Sequence, residues 1–259
     1  MCIRDSATRD AIARAVRAGV AVLPVTGRPR SGLPEEVLAI PGVRYAITSN
    51  GAMCEDLAED KVLVRLAMDE ETAMRALRIA EKYDVVIDIY IDGQAYTAAD
   101  SMRLVQTHVP ESFRPYFLKT RRLVEDRGRF LRQTGRGAEK FTILFQDMAQ
   151  RAAAWKEFEH TGLFELSGGI PENIEVNAKG VDKGRALLAL AERLGLSRGQ
   201  TMACGDASND LAMLRAAGLG VAMGNATPEA VAAADVQTDT NNNDGVAKAI
   251  RRWVLCEEV

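Results

Sequence analysis

An α/β fold carrying an inserted α+β module is predicted from three observations: a helix-then-strand rhythm up to about residue 69, its loss between residues 70 and 180, and its return from Val181 onward. The expected division is a first core segment at 1–69, the insert at 70–180 and a second core segment at 181–259. The rhythm implies parallel strands with helices packed against them.

The elements follow in order. Ala11, Ile12, Ala15 and Val16 recur at helical spacing behind a cap at Ser6, and Gly19 stops the pattern, which predicts a helix over 6–18. Residues 20–25, Val-Ala-Val-Leu-Pro-Val, read as a buried strand by their β-branched content, ending at Thr26-Gly27-Arg28-Pro29. Residues 45–48 form a second short strand before the turn signal Asn50-Gly51. In the insert, 69–82 reads as a helix, 85–90 and 94–97 as a hairpin around Asp92-Gly93, and 141–145 as a strand. Arg121, Arg122, Arg127, Arg129, Arg132 and Arg136 crowd one polar stretch, read as a solvated face rather than an anion site. After Gly180 come a helix over 182–194 closed by Gly195, a strand at 200–204 and a helix over 208–217 closed by Gly218. A strand at 219–223 and a helix capped at Thr227-Pro228-Glu229 complete the pattern.

Composition narrows the function classes. With 259 residues, 47% of them hydrophobic, the chain can bury a substantial core. A formal net charge of −3 gives no basic excess for tracking a nucleic-acid backbone, so no nucleic-acid partner is expected. No apolar run approaches the ~20 residues that cross a bilayer, so no membrane partner is expected either. Cys2, Cys54, Cys204 and Cys256 stand far apart with no C-x-x-C pair, which fits reduced thiols in a cytoplasmic protein. Composition sets no oligomeric state. His108 and His160 have no acid or ligand partner at useful spacing and read as structural; Trp155 and Trp253 read as packing.

Chemistry concentrates where strands end. In an open parallel sheet, ligands bind beyond the carboxyl ends of the strands, and Thr26 and Asp206 both follow a predicted strand directly. Thr26 offers a hydroxyl and Gly27 an unshielded N–H, a pairing suited to phosphate oxygens, although the same tripeptide also serves as an ordinary strand-ending turn. Lys183 falls in the first turn of its helix behind the cap Asp182, where the helix dipole disfavours a cation, so an anion is expected to face it. Asp206, Asn209 and Asp210 crowd one turn beside Gly205. Helix capping needs a single acceptor, whereas two carboxylates and an amide suit a magnesium ion and a phosphate.

Taken in order, Val25-Thr26-Gly27-Arg28-Pro29, Ser49-Asn50-Gly51-Ala52, Lys179-Gly180-Val181-Asp182-Lys183-Gly184 and Gly205-Asp206-Ala207-Ser208-Asn209-Asp210 resemble the haloacid dehalogenase superfamily, in particular its Cof-type (subfamily IIB) phosphatases. Val221-Ala222-Met223-Gly224-Asn225-Ala226 and Asn243-Asp244-Gly245-Val246-Ala247 extend the likeness toward the C-terminus. The resemblance implies a Rossmann-like core with a mobile α+β cap, and Mg²⁺-dependent hydrolysis of small phosphorylated metabolites, such as sugar phosphates, through an aspartyl-phosphate. It implies that Thr26, Gly27, Lys183 and Asn209 hold the phosphoryl group, that Asp206 ligates the metal, and that Asp210 supports both the metal and Lys183.

One expected motif is missing. The family opens on an apolar strand ending in Asp-x-Asp-Gly-Thr, whose first aspartate attacks phosphorus, whereas this sequence begins Met1-Cys2-Ile3-Arg4-Asp5-Ser6. Neither Asp5 nor Asp10 follows an apolar strand, and neither is assigned as nucleophile. The expectation is a gene product that has lost a strand and a flap, in preference to a natural pseudoenzyme, with negligible turnover and weak metal affinity. A non-catalytic phosphometabolite-binding protein and a phosphosugar mutase share the same cradle and stand as alternatives.

Overall fold

The structure, a computed structural model, describes residues 6–257. Helix α1 (Ser6–Arg17) buries Ala11, Ile12 and Ala15, and Gly19 closes it with a φ of 84°, a left-handed conformation that glycine adopts without strain. Residues 20–25 depart from expectation. They run extended, but only Val25 pairs, in a parallel bridge to Ile47, so no regular strand forms. The reason is hydrogen bonding rather than propensity: a strand needs a ladder, and here the Ile47 N–H donates to Pro24 O and the Thr26 N–H to Ile47 O, with no further ladder bonds to the neighbouring strand.

The short helix α2 (Glu35–Leu38) leads into an antiparallel meander of β1 (Tyr45–Thr48), β2 (Met53–Asp56) and β3 (Lys61–Arg65). Then α3 (Glu70–Ala80) starts on Asp69, whose side chain accepts from the Thr72 N–H. Next come β4 (Val85–Ile91), β5 (Gln94–Ala98), α4 (Ala99–His108), α5 (Arg114–Thr120), β6 (Arg121–Val124), α6 (Arg127–Thr134), β7 (Lys140–Phe145), α7 (Met148–His160), β8 (Phe164–Ser167) and β9 (Asn173–Ala178). The six strands form one sheet in the order β6-β5-β4-β7-β9-β8, antiparallel except for β5 with β6. One face carries Ile87, Ile89, Phe141, Ile143, Phe145, Ile174 and Val176 into a core closed by α3, α6 and α7.

The core resumes with α8 (Lys183–Arg193), β10 (Met202–Gly205), α9 (Leu211–Ala216), β11 (Leu219–Ala222), α10 (Pro228–Ala233), β12 (Val236–Gln237) and α11 (Gly245–Ala249), whose last turn widens into a π-turn over 250–254. Strands β10, β11 and β12 are parallel, as the rhythm predicted. Gly218 ends no left-handed cap. It is required instead by close approach, since a Cβ there would lie 2.4 Å from Arg198 O. Helix α8 binds the halves together: Leu187 and Leu190 share one buried cluster with Ile47 and Cys54 from the meander, Ala203 from β10 and Met213 from α9. Asp10, on α1, lies 3.6 Å from Arg251, and Asp5 falls outside the described residues. Among the described residues no helix is long and apolar enough to cross a membrane.

Candidate active site

Close packing brings Lys183 to its anion. Asp182 caps α8 by accepting from the Gly184 and Arg185 N–H groups at 2.7 and 2.9 Å. A Cβ on Gly184 would stand 2.4 Å from Ala212 O, so glycine lets α8 press directly on α9. Lys183, buried at 5% exposure, then places Nζ 2.7 Å from Asp210 Oδ1. The other Asp210 oxygen accepts from the Asp206 and Ala207 N–H groups at 3.0 and 3.2 Å. This tight loop needs Gly205, where a Cβ would meet Asp210 Cβ at 2.6 Å. The anion expected opposite Lys183 is thus Asp210, in the turn after β10.

Asp206 is the freer carboxylate. It is half-buried, and its Oδ2 accepts from Asn225 Nδ2 at 3.4 Å. Asn209 is half-buried in the same turn. Among the described residues no group of three or more His, Cys, Asp or Glu converges as a metal cage. Magnesium asks for less: one or two carboxylates, with waters and a substrate phosphate completing its shell. Asp206 fits that requirement, with Asp210 holding the Asp206 backbone in place.

The Thr26 turn is tied to the same place. Thr26 O accepts from the Asn50 N–H at 3.1 Å, and Thr26 Oγ1 from the Arg28 N–H at 3.2 Å. Ser49, Asn50 and Gly51 all take positive φ, of 53°, 60° and 101°. A Cβ on Gly51 would lie 2.4 Å from Asp182 O, so this turn rests on the cap of α8, one residue from Lys183. The structure therefore brings Lys183, Asp210 and Asp206 into direct contact and joins Thr26 and Gly27 to them through Asn50, Gly51 and Asp182. Asn209 occupies the same turn as Asp206 without a hydrogen bond that fixes its role.

Over this turn lies the second face of the six-stranded sheet, which sequence reasoning missed. Lys140 Nζ donates to Glu175 Oε1 at 2.6 Å and to Gly27 O at 2.5 Å. Asn50 Nδ2 donates to Glu175 Oε2 at 2.7 Å, and Asn177 Nδ2 to Ser49 O at 2.9 Å. Burial alone raises the Glu175 pKa, but Lys140, Asn50 and Lys183 outweigh it and hold the carboxyl below its usual range. Glu139 accepts from the Gly93 N–H, and burial pushes its carboxyl up to about 7. A signal for this face was present, because Asp88 and Tyr90, Lys140 and Thr142, and Asn173, Glu175 and Asn177 alternate at period two. Register places them on one side: Asp88 opposes Thr142, Tyr90 opposes Lys140, and Thr142 opposes Glu175.

The arginine reading needs correction for two of its six members. The Arg121 side chain is 2% exposed and pairs with buried Asp88 at 2.8 Å, stacked on Phe117 and Tyr116. Arg127 is likewise buried, against Asp100 and Ser101. Both sit where a strand or helix start turns them inward, which composition alone does not reveal. Arg122, Arg129, Arg132 and Arg136 are exposed as expected.

Comparison with known proteins agrees with this geometry. The model of the haloacid dehalogenase-like hydrolases matches residues 3–250. The 5-amino-6-(5-phospho-D-ribitylamino)uracil phosphatase YcsE of Bacillus subtilis is 47% identical over 116 residues, a match spanning 45% of this chain and 47% of that protein. The pyridoxal phosphate phosphatase YbhA of Escherichia coli is 28% identical over 246 residues, covering 93% of this chain and 89% of its own. A solved haloacid dehalogenase-like hydrolase from B. subtilis superposes with a TM-score of 0.81 at 25% identity, over 96% of this chain and 93% of that one. With its parallel core, its second sheet and the Lys183–Asp210–Asp206 contact, the chain belongs to the haloacid dehalogenase-like hydrolases, and the relatives it matches are named phosphatases.

Proposed function

We propose that this chain forms the phosphate-holding body of a magnesium-dependent phosphatase acting on small phosphorylated metabolites such as sugar phosphates. The observation that carries the reading is the buried Lys183, held by Asp210 within one residue of the turn that supports Thr26 and Gly27. An ammonium group with a fixed partner and a hydroxyl-and-amide turn beside it is suited to the charge that a transferring phosphoryl group spreads over its oxygens. Asp206 is the residue to hold magnesium, which supplies further charge neutralisation when bound. Thr26, Gly27 and Asn209 orient phosphate oxygens, and residues 70–180 act as a cap that closes over the site and selects the substrate through the Lys140–Glu175 face.

No two aspartates in the 259 residues stand two positions apart, so the sequence supplies the cradle without the Asp-x-Asp nucleophile pair. That observation favours a second reading, a phosphometabolite binder. Calorimetry with sugar phosphates, with and without magnesium, and turnover of p-nitrophenyl phosphate test both readings. The expected outcome is phosphate binding that falls at least ~10-fold in Lys183→Ala, from loss of a charge-assisted contact, with negligible hydrolysis. Turnover by this chain that disappears in Lys183→Ala would refute the missing-nucleophile reading, and binding indifferent to Lys183 would refute the cradle.

A further inference from the structure

The cap grips the Thr26 turn at two points that differ in kind. From the sheet, Lys140 donates to Gly27 O. From α5, the Tyr116 ring lies against core residues Arg28 and Gly32. Tyr116 has no part in the phosphate site itself, and its contact with the core is aromatic rather than ionic.

Both sides of that contact are fixed by other residues. Arg28 Cζ lies 4.4 Å from the centre of the Tyr116 ring, and Arg28 Nη1 reaches Gly32 O at 3.5 Å. Arg28 also belongs to the phosphate turn, since its N–H donates to Thr26 Oγ1 and its carbonyl accepts from the Ser49 N–H at 2.9 Å. On the cap side, Arg121 Cζ lies 4.9 Å from the same ring centre and is itself held by buried Asp88, which sets the position of the tyrosine. Room for the ring exists because residue 32 is glycine: a Cβ there would collide with the Tyr116 hydroxyl. Among the described residues that hydroxyl makes no hydrogen bond, so the aromatic face rather than the polar tip carries the contact.

We propose that Tyr116 is a positioning residue that holds the cap closed, through a cation–π contact with Arg28 that exists only while cap and core are together. Such a contact shifts a closing equilibrium by roughly 2- to 30-fold, the larger value applying where the guanidinium is desolvated. Apparent affinity scales with the fraction of molecules in the competent state. The contact therefore acts on ligands that touch the cap and leaves those held by the core alone unchanged. The ligand half of this inference rests on the phosphate-site reading, whereas the closure half does not.

The test compares the whole chain with Tyr116→Leu, Tyr116→Ala and Tyr116→Phe. Small-angle X-ray scattering is expected to give a larger radius of gyration for Tyr116→Leu and Tyr116→Ala, with circular dichroism unchanged. Tyr116→Phe is expected to keep the wild-type value, because it retains the ring and sheds only the unpaired hydroxyl. In calorimetry with magnesium, glucose 6-phosphate is expected to bind about tenfold more weakly to Tyr116→Leu and Tyr116→Ala and within about twofold of wild type to Tyr116→Phe. Inorganic phosphate is expected to bind every variant alike. Arg28→Met/Tyr116→Leu is expected to open no further than Tyr116→Leu alone, since both changes remove the same contact. Three results would overturn the proposal: wild-type scattering from Tyr116→Leu, opening of Tyr116→Phe equal to that of Tyr116→Leu, or equal weakening toward both phosphates. Failure of the wild-type chain to bind either phosphate refutes the cradle alone, because scattering decides the closure without a ligand.

Discussion

The six-stranded sheet and the parallel core use opposite parts of a sheet for chemistry. In the core, the candidate groups sit where strands end: Thr26 after the extended segment and Asp206 after β10. In the larger sheet they stand on the flat face, where Asp88, Tyr90, Lys140, Thr142, Glu175 and Asn177 are buried side by side. A strand-end site costs the fold little, since its groups lie in turns that need capping anyway. A face site places charges in the interior, where each depends on its partner. The two regions should therefore respond very differently to single substitutions.

Lys140→Met is expected to be the most damaging. It leaves the buried Glu175 carboxylate without its ion-pair partner and lowers stability by roughly 3–5 kcal/mol in urea titration, while Lys140→Met/Glu175→Leu recovers most of that. Equal damage from the single and the double variant would break the contrast.

Glu139 gives the next largest effect. Its folded pKa of about 7 exceeds the ordinary 4.5, so the folded state binds the proton more tightly than the unfolded chain. Its contribution is therefore fully present below pH 4.5, falls as pH rises toward 7 and is level above, a loss on the order of 3 kcal/mol. Glu139→Gln should flatten the stability profile in that window, which denaturant midpoints at a series of pH values would show. In the core, Thr227→Ala removes a cap from α10 and should cost only about 1 kcal/mol. A loss as large as that of Lys140→Met would show that strand-end turns carry more of the fold than their exposure suggests.

Much of this was legible in the sequence. The rhythm of helix and strand located α1, β1, α8, β10 and β11, because apolar periodicity records which side of each element is buried. The Lys183–Asp210 contact was legible too, since a lysine in a first helical turn asks for an anion. Residues 20–25 misled because β-branched content records a preference for extended backbone, whereas a strand also requires partners. The face site stayed hidden for a different reason. Lys140, Glu175 and Asp88 lie 35 residues or more apart in sequence, and only strand register makes them neighbours. Arg121 and Arg127 were hidden by their exposed companions.

The position of α8 has a consequence for the order of events during synthesis. The partners that close the six-stranded sheet all lie between Val85 and Ala178, and this module can form as soon as that stretch is free. The core cannot follow suit. Ile47 and Cys54 wait for Leu187, Leu190 and Ala203, so the first segment emerges with its apolar side uncovered until more than 130 later residues have been made. At about 5–20 residues per second that exposure lasts several seconds or longer, and the early segment is where this chain most needs a chaperone.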